Sequence, residues 1–74
     1  MVSVPFRVEI SDPQLVGELR ERMADADCLV RDVTDRGFVV VHRDAETAAE
    51  ARRELSFFLR AWQARYPSVA VELT

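Results

Sequence analysis

The chain has 74 residues, 49% of them hydrophobic, and a formal net charge of −3. That length makes one domain, near the lower limit at which a single core sustains itself, and that composition excludes a disordered chain. The acidic balance argues against a general binder of nucleic acid or anionic membrane, which needs a cationic face to release counterions.

Val2, Val4, Phe6, Val8 and Ile10 alternate with Ser3, Pro5, Arg7 and Glu9, the period-2 pattern of a strand with one apolar face. Pro5 has no N–H to give a ladder, so pairing on its side should be missing or begin late. Ser11-Asp12-Pro13 starts a helix, with Asp12 as N-cap and Pro13 at the first helical position. Leu15, Val16, Leu19, Met23 and Ala26 then fall on one helical stripe, while Glu18, Arg20 and Glu21 point away from it. Gly17 lies on the outer face and weakens the helix by about 1 kcal/mol relative to Ala.

Residues 28–34 and 37–43 read as a hairpin around Thr34-Asp35-Arg36-Gly37, with Gly37 at the position needing positive φ. The first arm, Cys28-Leu29-Val30-Arg31-Asp32-Val33, alternates poorly and is expected at an edge. The second, Phe38-Val39-Val40-Val41, is apolar on both faces, as a central strand often is. A second helix is expected from near Asp44 to about Arg65, with Ala48, Ala51, Leu55, Phe58, Leu59, Trp62 and Tyr66 on its inner stripe. Its acidic start and basic end match the helix dipole, and Tyr66-Pro67 ends it. Val69, Val71 and Leu73 form a short last strand. These elements leave no linker, repeat or long loop in which to build a catalytic site.

The residues that carry chemistry are few. Phe57 lies opposite the inner stripe of the second helix, with Ala61 and Ala64 continuing the flank and Arg53 and Arg60 beside it. An aromatic left in water there costs about 2 kcal/mol, so this flank is a candidate dimer seam or partner groove. If Val4, Phe6 and Val8 face the helices, then Arg7, Glu9 and Glu72 face out. Either Val39 and Val41 or Phe38, Val40 and His42 join them on the uncovered sheet face. His42 with Arg43 and Asp44 reads as a surface residue rather than a general base, and Cys28 as a small hydrophobe rather than a nucleophile. Asp25, Asp27, Asp32 and Asp35 match no cation-binding loop. No metal, cofactor or catalytic residue is therefore expected.

Cys28 is the one cysteine, so no internal disulfide is expected. No hydrophobic run approaches the roughly 20 residues of a membrane span, and the N-terminus lacks a signal-peptide pattern. A cytoplasmic protein is the expectation. All ten basic residues are Arg, and Asn is absent as well as Lys. We read this bias as that of a GC-rich bacterial genome, with the alternative that Arg serves bidentate contacts.

The order strand, helix, strand, strand, helix, strand resembles the ferredoxin-like superfold along the whole chain. That resemblance implies an α+β domain with a four-stranded antiparallel sheet of order 4-1-3-2 and both helices on one face. Families on this fold can be tested against the residues. Ser11-Asp12-Pro13-Gln14 stands where copper chaperones have Cys-x-x-Cys. The absence of Asn removes acylphosphatase chemistry. Phe6 faces the helices, whereas RNA-recognition motifs show aromatics on the open sheet. Asp12-Pro13-Gln14-Leu15 is similar in part to the Asp-x-Pro-Gly loop of ACT-type regulatory domains, without its spacer and glycine. This similarity implies a small-ligand sensor, of amino acids or carboxylate metabolites, with Asp12 and Gln14 at a dimer interface. A small dimeric ferredoxin-like enzyme is a further alternative. The reading that fits the residues best is a non-catalytic binding or assembly module, a homodimer or the mate of another protein, with no nucleic acid and no membrane as partner.

Overall fold

The computed structural model describes residues 4–74. Four strands form one antiparallel sheet: β1 (Phe6–Ile10), β2 (Cys28–Arg31), β3 (Gly37–His42) and β4 (Val71–Leu73). They lie in the order β2-β3-β1-β4, the expected order read from the opposite edge. A 3₁₀ turn (Pro13–Leu15) leads into α1 (Val16–Asp25), and α2 (Ala48–Gln63) connects β3 to β4.

Pairing explains which residues face inward. Phe6 stands opposite Val40, Val8 opposite Phe38, and Ile10 opposite Val71. Paired residues share a face, so these side chains line one side of the sheet. They join Val16, Leu19 and Met23 of α1 and Ala51, Leu55, Leu59 and Trp62 of α2 in a single hydrophobic cluster. Both helices thus cover the same face. Val39 and Val41 are left on the other, while Phe38, Val40 and His42 point toward the helices.

The expected first strand is shortened. Val2 and Ser3 lie outside the described residues, Val4 is exposed, and regular pairing starts at Phe6, directly after Pro5. Asp12 caps as expected, its carboxylate accepting the Gln14 N–H at 3.0 Å, but what it caps is the 3₁₀ turn. Ala26 is exposed and lies past the end of α1, so it leaves the inner stripe.

Glu18 departs most from the helical-wheel reading. It turns back toward α2 and accepts hydrogen bonds from Trp62 Nε1 at 3.1 Å and from the Tyr66 hydroxyl at 2.8 Å. The two rings lie 4.8 Å apart at 40°. One carboxylate therefore joins the helices, and its hydrogen bond holds the Tyr66 hydroxyl pKa above the usual phenol value, with burial adding to the effect.

α2 begins four residues later than Asp44. Thr47 is its N-cap, and its hydroxyl accepts the Glu50 N–H at 3.0 Å. The preceding Ala45 is buried, and Ala48 is exposed. The helix closes at Gln63, whose side-chain amide donates to the Val69 carbonyl at 2.6 Å. Val69 is buried ahead of β4 rather than within it.

Gly37 has a different reason from the expected one. Positive φ falls on Asp27 and Asp32, not on glycine. Gly37 opens β3 opposite Glu9, and a Cβ there would overlap the Val8 carbonyl oxygen. Close approach of β1 to β3 excludes every other residue. Gly17, by contrast, meets open space.

Candidate functional site

Phe57 lies on the side of α2 away from the sheet and is 61% exposed, with Ala61 and Ala64 exposed beside it. Helical spacing sets Arg53 one turn before it and Arg60 one turn after. Arg52, Ser56 and Ala49 complete a shallow concavity along one flank. Among the described residues no carboxylate lies within 4.0 Å of the Arg52, Arg53 or Arg60 side chains. Ala61 borders a different depression, with Arg22, Phe58, Trp62 and Arg65. The expected seam therefore divides, and Arg52 and Ser56 belong to the Phe57 side. Their i, i+4, i+8 spacing with Arg60 was available in the sequence as a signal.

On the uncovered sheet face, register places the side chains in rows. Leu29 opposes Val41, and Arg31, Val39 and Arg7 share the next row. Glu9 and Glu72 stand opposite each other beyond them. Leu29 is 44% exposed, and Val39 and Val41 are half-buried next to it. Arg7 reaches Glu9 at 3.8 Å on the exposed surface, a contact of little energetic weight in water. Leu29 is the member of this face that the sequence reading missed. β2 does alternate, with Cys28 and Val30 inward and Leu29 and Arg31 outward.

The residues with reactive side chains meet at one corner. Cys28 and His42 are partners across β2 and β3, and His42 Nε2 lies 2.7 Å from Glu54 Oε2. The Asp44 N–H donates to His42 Nδ1 at 3.3 Å. A neutral imidazole in this setting accepts at Nδ1 and donates from Nε2, so both nitrogens are engaged. The Cys28 thiol itself donates to the Ala26 carbonyl, at 3.7 Å. The thiol is also raised above its ordinary pKa, by burial first and then by Asp27, Asp44 and Glu54. A nucleophilic cysteine requires the reverse, a cationic and accessible setting. The contact of His42 with Glu54 joins β3 to α2 at this corner. Beside it, the Asp44 carboxyl is held above the usual carboxylate range, chiefly by a hydrogen bond with Asp27 and by that residue's charge.

The turn at Asp12 and Gln14 satisfies its own donors. The Gln14 N–H goes to the Asp12 carboxylate, that of Leu15 to the Asp12 carbonyl at 3.1 Å, and that of Val16 to the Pro13 carbonyl. These three backbone N–H groups are thus engaged within the turn. Among the described residues no cluster of three or more His, Cys, Asp or Glu is arranged to hold a metal ion, and no helix is long and apolar enough to cross a membrane.

Compared with known proteins, the chain matches no family, and no curated protein or solved structure resembles it closely enough to carry an assignment.

Proposed function

We propose that this chain is a small non-catalytic assembly module with a ferredoxin-like fold, cytoplasmic and bacterial, that pairs with a second copy through the uncovered face of its sheet. The observation that carries this reading is the apolar group Leu29, Val41 and Val39 on the face that neither α1 nor α2 covers. An antiparallel sheet with one solvated side ordinarily alternates apolar inward and polar outward. β3 breaks that alternation: its inward Phe38 and Val40 already fill the core, so Val39 and Val41 add nothing to it. Valines on the solvent side of a central strand, next to an exposed leucine, are apolar surface that a second copy would bury further.

The charges around this group favour a defined pairing. Arg31 and Arg7 flank Val39, and Glu9 and Glu72 stand one row further along β1 and β4. Such a polar rim around apolar centres sets register and excludes wrong partners.

Light scattering coupled to size exclusion tests the reading, over a range of concentrations, on wild type, Leu29→Asp and Val41→Thr. The substitutions keep the core intact, because both side chains point away from it. A wild-type dimer that becomes a folded monomer in Leu29→Asp and weakens in Val41→Thr supports the proposal. A wild-type monomer at every concentration, or a dimer indifferent to both changes, overturns it.

A further inference from the structure

The Phe57 surface lies on the opposite side of the molecule from the open sheet face, because α2 packs its inner stripe on the sheet and turns Phe57 outward. The two surfaces are separate. Three features coincide around Phe57. A phenyl ring is mostly exposed in the middle of a helix of 16 residues. Arg52, Arg53 and Arg60 line a shallow concavity against it, together with Ala49 and Ser56. None of the three guanidinium groups has an acidic partner among the described residues.

We propose that this face docks an acidic peptide segment of a partner protein, one that carries an apolar side chain to pack on Phe57. Charge complementarity decides the occupant. The chain as a whole is acidic, with a net charge of −3, so three arginines on one flank, without an acidic partner among the described residues, form a local cationic patch. Guanidinium groups bind carboxylates bidentately, and an exposed aromatic supplies the apolar anchor that such interfaces concentrate their affinity on.

Two other occupants fit less well. Two copies of the chain meeting antiparallel on α2 would set the arginine flank of one against the same flank of the other. A nucleic-acid strand needs a longer cationic track, and Arg52 to Arg60 spans only about 12 Å of helix.

A random peptide library displayed on phage, selected on wild type against the Arg53→Gln/Arg60→Gln variant as counter-target, tests the proposal. All the altered residues are exposed, and far-UV circular dichroism checks that the variants remain folded. Enrichment of peptides combining Asp or Glu with an apolar residue is the expected result. A selected peptide, labelled with fluorescein, should then bind by anisotropy with an affinity that falls as salt rises. Phe57→Ala should weaken it by about 10- to 100-fold, from the apolar area that the ring still exposes. Enrichment of neutral or basic peptides, or none beyond the counter-target, overturns the proposal. So does a single-stranded oligonucleotide that binds more tightly than the peptides, or a wild-type oligomer that Phe57→Asp alone dissociates.

Discussion

Replacing Glu18 by Ala should destabilise the fold by about 2–3 kcal/mol. The substitution takes the acceptor from Trp62 Nε1, on a side chain only 4% exposed, and from the Tyr66 hydroxyl. A hydrogen bond to a charged group contributes about 1.5–3 kcal/mol, and a buried donor left without a partner costs about 1–3 kcal/mol. Tyr66 is half-buried and regains water, so the indole sets most of the loss. A chain of this length has a total stability on the order of 4–11 kcal/mol, which makes Glu18 one of its larger single contributors. Glu18→Gln keeps one carbonyl acceptor and should lose only about 1 kcal/mol. The assay is urea unfolding followed by the fluorescence of Trp62, the one tryptophan of the chain, with the slope checked for constancy. If Glu18→Ala stays within about 0.5 kcal/mol of wild type, as neutral surface changes do, the helix-to-helix lock is refuted.

Gly37→Ala should prevent stable folding, because β1 and β3 cannot separate to admit a Cβ without losing their pairing; a cooperative thermal transition near the wild-type midpoint would contradict this. Asp27→Asn should raise the melting temperature at neutral pH. It removes a charge beside Asp44 and keeps a residue type that tolerates the positive φ of 63°. The Asp44 pKa is raised on folding, so the pair's stability is fully present below the ordinary carboxylate range and lost as pH rises through the folded value. The gain from Asp27→Asn should therefore shrink as pH falls into that range. For Cys28, whose thiol is raised by burial, stability should decline as pH climbs past the ordinary thiol value, and Cys28→Ala should flatten that decline. Alkylation of the native protein should be slow until urea exposes the thiol, and rapid labelling without denaturant would disprove the assignment.

Strong periodicity was legible wherever one face of an element is buried. Phe6, Val8 and Ile10 are inward as their alternation predicts, and Leu55, Leu59 and Trp62 lie on the inner stripe of α2. The sequence reading starts α2 four residues early, at Asp44, although the sequence carries the signal for the true start. Thr47-Ala48-Ala49-Glu50 carries the spacing of a capping box, and the Glu50 N–H bonds the Thr47 hydroxyl. Asp44 competed for the same role, and it lies in the connection instead. Long-range polar contacts were not legible. Glu18 looks like one more solvated carboxylate until α2 is placed, since its partners are 44 and 48 residues away. The pairing of His42 with Glu54 is hidden for the same reason. On the candidate surfaces, the exposure of Phe57 followed from helical spacing alone. Leu29 needed the register of β2 against β3, because four residues at a sheet edge give too short a pattern to phase.

Pairing of two copies through the uncovered sheet face is tested most directly by the mass of the wild-type protein in solution by light scattering, set beside that of Leu29→Asp. A dimer for wild type and a folded monomer for Leu29→Asp is the predicted result. A wild-type mass of one chain at every concentration, or a dimer unchanged by the substitution, would contradict it.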